Sequence, residues 1–261
     1  MKKSVLAALL TAAFASTAFA AQPRQPLTGT IEVTTAAATV SDPWPDGEIH
    51  SVSALFNLAN EDKLGVSVTG VNAWGDNATY LNVRSVNHIS ANRWFDTNVG
   101  FSDRGNITAE KRVNTMFNQK FPEIATILGV GADYYTMRSG GSATGVRASA
   151  VKYVTGMPLV LQADLALSVS SMNDRAGHRL ALAATYGHVG NWTVSANAST
   201  GRVHYELETR PGSVADYNSK SVGVGARYWV NKDWGVSLNL GKVSNRYYKR
   251  DEVRAGVFFN F

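Results

Sequence analysis

Glu252-Val-Arg-Ala-Gly-Val-Phe-Phe-Asn-Phe261 is the stretch on which the reading of the fold turns. Counting back from Phe261 in steps of two gives Phe259, Val257, Ala255 and Val253, all apolar. The interleaved Asn260, Phe258, Gly256 and Arg254 are mostly small or polar. Side chains on a strand point alternately to two faces, so this is a strand with one oily face and one mixed face. Ending on Phe261, such a strand is expected to close a membrane barrel, with its aromatic end at the bilayer interface.

The same period of two recurs upstream. Leu159, Leu161, Ala163, Leu165 and Leu167 alternate with Val160, Gln162, Asp164, Ala166 and Ser168. Val222, Val224, Ala226 and Tyr228 alternate with Gly223, Gly225, Arg227 and Trp229, and Phe95, Thr97, Val99 and Phe101 with Asp96, Asn98 and Gly100. Helical periodicity fails in most windows. A soluble sandwich would turn these apolar faces inward; a membrane barrel turns them outward and lines its lumen with small and polar residues.

Three features favour the barrel. No helical layer is available to cover a sheet. Connections alternate between short (Ser90 to Arg93, Met157-Pro158, Gly190-Asn191) and long (Asp103 to Lys111, Ser171 to Arg179, Glu208 to Asn218), the alternation of periplasmic turns and extracellular loops. Aromatic residues gather at strand ends: Trp94, Trp192, Trp229, Trp234 and Phe261 at the periplasmic side, and Trp74, Tyr80, Tyr134, Tyr135, Tyr205, Tyr247 and Tyr248 beside the loops, as two interfacial girdles. Trp229 is off the lipid-facing register of its own strand. The alternation predicts one all-β, up-and-down antiparallel barrel of about fourteen strands over residues 27–261. Twelve is the alternative count, because the first four strands are the least regular.

Lys2 and Lys3, the apolar run Val5 to Phe14 and Ala18-Phe19-Ala20 predict a secretory signal over residues 1–20, followed by a periplasmic lead-in over 21–26. Setting Lys2 and Lys3 aside leaves 23 basic residues against 20 acidic ones. That balance is too mild to argue for nucleic acid. There are no cysteines, hence no disulfides and no thiolate metal site. The expected location is the bacterial outer membrane, with membrane lipid and the barrel-assembly machinery as partners. Phe261 is the expected assembly signal.

Trp94-Phe-x-Thr-x-Val-Gly-Phe101, Arg112 to Phe121 leading into Gly131-Ala-Asp-Tyr-Tyr135, and Trp234-Gly-Val-Ser-Leu-Asn-Leu-Gly-Lys-Val243 resemble the YaiO-type outer-membrane β-barrels. The resemblance spans most of the mature chain, through motifs that are partly common to all barrels. It implies a single outer-membrane barrel with relatives among exopolysaccharide-export barrels, and it carries no catalytic residue or cofactor to transfer.

The chemistry is therefore sought on the inner face. Arg or Lys on the lipid face costs about 2–4 kcal/mol near the midplane, so the charged residues of the strands should face the lumen. The predicted lining includes Arg84, Asp96, Asp133, Arg147, Asp164, Arg227 and Arg254. The inward glycines Gly129, Gly131, Gly223, Gly225, Gly235, Gly241 and Gly256 are expected to leave the lumen space. A passive, porin-like channel or export conduit for a small polar solute or saccharide is the first expectation. A filled, non-conducting barrel with interacting loops is the second. A rim enzyme is third: Ser171, Asp174 and His178 share a predicted outer loop, but polar loop residues alone do not make a triad. No catalytic, cofactor or metal residues are assigned.

Overall fold

The computed structural model describes residues 28–261 except 42, 74, 105–108, 139, 172–175 and 207–213, and except the side chains of 203–206 and 214–217. The expected signal and lead-in lie outside the described residues. The chain forms fourteen strands: β1 (Thr28–Val40), β2 (Gly47–Asn57), β3 (Lys63–Ala73), β4 (Asp76–Ser90), β5 (Arg93–Ser102), β6 (Lys111–Phe121), β7 (Thr126–Thr136), β8 (Ser142–Val154), β9 (Leu159–Ser170), β10 (Ala176–His188), β11 (Trp192–Glu206), β12 (Val214–Trp229), β13 (Trp234–Ser244) and β14 (Lys249–Asn260). Each pairs antiparallel with its sequence neighbours, and β1 pairs with β14, so the sheet closes. Fourteen is the count the alternation predicts, and the first four strands are regular members of the wall. Closure leaves no edge strand and satisfies the backbone within the sheet, which a lipid environment demands.

The apolar face points outward. Val130, Leu182 and Val222 are 61%, 52% and 57% exposed, and Leu165, Leu238, Val253 and Phe259 lie on the same outer surface. Among the described residues, charged side chains on this surface lie toward the two rims, Lys220 included, since it pairs with Ser244 at the loop end of β13. Arg93 and Lys152 lie at the turn end, and Lys242, paired with Asp251 at 3.2 Å, at the loop end. The turn end carries Thr28, Phe261 and the short connections, and is the periplasmic end in this architecture. Two of its turns contain 3-10 segments, Ala59–Glu61 and Pro122–Ile124.

The seam is fastened at Phe261. Its N–H donates to the Gly29 carbonyl (3.0 Å), and its carbonyl accepts from the Gly29 N–H (2.8 Å). Gly29 has no side chain to obstruct the Phe261 ring, whose tip would touch a Cβ there at 2.8 Å, and the ring meets Phe56 edge-on with centroids 6.1 Å apart.

Candidate functional site: the lumen

Strand pairing carries the inner register around the wall, with one shift between His88 and Ser90 at the turn end of β4. Glu32 stands opposite Phe258 on β14 and Ser53 on β2, and Arg84 opposite Asn98 on β5. All seven predicted lining residues share this inner face, and each is in an ion pair. Arg84 grips Asp96 with two hydrogen bonds, Nη2 to Oδ2 at 2.6 Å and Nε to Oδ1 at 2.9 Å. Arg112, Asp133, Arg147 and Asp164 form a chain across β6 to β9, with links of 3.0, 3.8 and 2.7 Å. Arg227 donates to Glu32 across the seam at 3.2 Å, and the other Glu32 oxygen accepts from Ser237. Glu252 is shared by Arg254, at 3.0 Å, and Arg250.

The partners Glu32, Arg112, Arg250 and Glu252 were not among the predicted lining, although the same alternation carries them. Glu32 sits between Ile31 and Val33, and Arg112 beside Val113. These pairs are partly wetted by the lumen, so each contributes about 0–1 kcal/mol, and their weight lies in the field they set.

The glycines correct an expectation. Most inner glycines lie under a neighbour's side chain and do not widen the lumen. Tyr80 lies over Gly100, and Phe258 over Gly235. Met116 covers both Gly129 and Gly131, where a Cβ would come within 2.9 Å of it. An aromatic side chain covering a cross-strand glycine restores packing that the glycine lacks. Gly241 does face open space, with no atom within 4 Å of an added Cβ.

The aromatic assignment also needs correction. Trp192, Trp234 and Phe261 are on the outer wall with Tyr186, Tyr228, Phe95 and Phe117, a belt at the turn end. Trp94 and Trp229 are inside. Trp94 shares a face with Asp96 and lies 5.5 Å from the His88 ring. Trp229 shares a face with Arg227 and packs edge-on against Phe258 at 5.1 Å. Position beside a turn suggested the girdle, but strand parity decides the face. Tyr80 and Tyr135 are likewise inward by parity. Trp74 and the Tyr205 side chain lie outside the described set.

Two cavities follow the inner wall on the side of β10 to β14. One, of about 440 Å³, is lined by Glu32, Thr34, Ser51, Ser53, Thr185, Thr193, Ser195, Arg227, Ser237, Asn239 and Arg254. The next, of about 400 Å³, shares Asn239 and Arg254 and adds Asn197, Ser221, Arg250 and Glu252. A third, of about 820 Å³, lies against Ala38, Gly47, Gly223, Gly241 and Glu252. The three share lining residues in series, along a wall of small and hydroxyl-bearing side chains.

Of the residues considered for a rim enzyme, Ser171 and His178 are not hydrogen-bonded to each other. The Ser171 hydroxyl accepts from the Ser142 N–H at 3.0 Å. His178 pairs with Leu167 on the lipid-facing register of β10. Asp174 lies outside the described residues. Among the described residues no group of His, Asp and Glu side chains could hold a metal ion.

A closed fourteen-stranded wall, oily outside and ionic within, defines a bacterial outer-membrane β-barrel protein. The family profile described as the YaiO membrane beta barrel domain matches residues 30–206. The chain belongs to that family. No curated protein matches the sequence significantly. Among solved structures, it is similar to the outer membrane protein Omp33 of Acinetobacter baumannii (TM-score 0.56, 13% identity, covering 91% of this chain and 100% of that one). It is also similar to the CymD monoaromatic hydrocarbon channel (TM-score 0.54, 9% identity, 91% and 88% covered). A third is OmpTdeltaL8, a loop-deletion form of an outer membrane protein of Vibrio cholerae (TM-score 0.51, 10% identity, 90% and 98% covered). At such identities the likeness is one of fold.

Proposed function

We propose that this barrel is a passive channel or export conduit for small polar solutes, saccharides included. The observation that carries the reading is the series of cavities sharing Asn239, Arg254, Gly223 and Glu252 along the inner wall, one of them lined mostly by Ser and Thr side chains. Fourteen strands also enclose more than the eight whose side chains fill their own interior. Single-channel recording of the refolded protein in a planar bilayer tests it. Steady current is expected, and its absence from inserted, heat-modifiable protein would overturn the reading.

The second reading is a filled barrel whose loops bind a partner. It draws on the Trp229–Phe258 and His88–Trp94 packing inside the turn end and on the ion pairs that bridge neighbouring strands. The same recording separates the two.

A further inference from the structure

We propose that the lumen selects hydroxylated carboxylates, small solutes of the sugar-acid kind. This rests on the channel reading above and names its substrate class.

The charge on the inner wall is uneven. On the β4 to β9 side Arg84 is matched by Asp96, Arg112, Asp133, Arg147 and Asp164 alternate in sign, and Lys120 adds a cation on the inner register at the turn end. The β10 to β14 side carries guanidinium groups whose carboxylates are shared or only partly engaged, and one without an ion pair among the described residues. The Glu252 carboxylate is divided between Arg250 and Arg254. Arg179 stands exposed on the inner register of β10, opposite Ala166 and Gly201, with no ion-pair partner among the described residues. Arg227 gives one amino group to Glu32, while its Nε–H, buried, has no acceptor among the described residues.

Arg227 and Arg254 border the hydroxyl chamber, Arg250 the cavity beside it, and Arg179 stands on the same inner face nearer the loop end. Arg227 and Arg254 line the cavity of about 440 Å³ together with Ser53, Thr185, Ser195 and Ser237. That volume is within the range of sites for small organic ligands. Hydroxyl side chains both donate and accept, as a sugar's hydroxyls require, and guanidinium matches a carboxylate in planar, two-point geometry. A neutral sugar uses only the first set; a sugar acid uses both. One surplus charge about 6 Å away through water attracts an anion roughly threefold and repels a cation by as much, so the anion-to-cation ratio should be about tenfold at low salt. Raising the ionic strength should shrink it.

The test has two readouts on refolded full-length barrel. In a bilayer with a KCl gradient, the reversal potential should report preference for chloride, falling as salt rises. In proteoliposomes, swelling in sodium glucuronate should outpace swelling in glucose at matched osmolarity. Arg179→Gln with Arg254→Gln should remove most of both preferences. Arg179 is exposed and Glu252 keeps Arg250, so the variant should fold, and heat-modifiable mobility checks that it does. Current without anion preference, or glucose entering as fast as glucuronate, overturns this inference and leaves the channel standing. No current and no swelling from inserted protein overturns the channel reading and this inference with it.

Discussion

Phe258 offers the sharpest test of the inner packing. It is fully buried, at 0% exposure, within a wall whose other inner residues are mostly wet. Its ring meets Trp229 edge-on at 5.1 Å and lies 4.3 Å beneath the Arg227 guanidinium carbon, and it fills the space above Gly235. Phe→Ala at a packed site removes about 3–5 kcal/mol. The edge-on aromatic pair accounts for about 0.5–1.5 kcal/mol of that, and the cation–π contact for about 0.5–1 kcal/mol where the cation is partly wetted. Because the vacated space adjoins the lumen and can admit water, the loss should fall at the lower end, about 3 kcal/mol. Phe258→Leu should retain roughly half the stabilisation. The assay is equilibrium urea unfolding in phospholipid vesicles, followed by tryptophan emission. The midpoint should fall with the slope unchanged, and Trp229 emission should shift to the red as water reaches it. A loss under about 1 kcal/mol in correctly folded Phe258→Ala would refute the argument, since it would mean that the ring is not packed.

Gly241 and Gly100 should part company: Gly241→Phe, into open space, should lower any single-channel conductance with little change in unfolding midpoint, whereas Gly100→Ala, whose Cβ would overlap the Tyr80 ring, should lose about 1–3 kcal/mol of stability to overpacking and unfold at a lower midpoint. Asp133→Ala should leave Arg112 and Arg147 without their shared carboxylate, strengthening anion preference in reversal-potential measurements; an unchanged potential would mean that this chain of pairs does not face the conducting path. Phe261→Asp should lower the amount of heat-modifiable protein in the outer membrane, because it places a charge on the lipid face where the seam closes; undiminished levels would remove Phe261 from assembly.

Strand identity was legible in the sequence because period two is a property of each segment alone. Val222, Val224 and Ala226 report one face whatever lies beside them, and a bilayer requires that face to be apolar on every strand. Parity also places Arg227 inside, and applied as strictly to Trp229 and Trp94 it would have kept both out of the girdle. The furniture of the lumen is another kind of information. Whether Gly235 is a gap or a seat depends on Phe258, which reaches it only because β13 and β14 pair in one register. Whether Arg227 is free depends on Glu32, which is 195 residues away and becomes a neighbour only when β1 meets β14. Closure converts the two ends of the chain into adjacent walls, so a lumen composed one strand at a time shows its charges but not their pairing. Arg179 marks the limit of that rule. Its inner-register neighbours across β9 and β11 are Ala166 and Gly201, neither of which can neutralise it, so local alternation and strand pairing together leave it without an ion pair among the described residues.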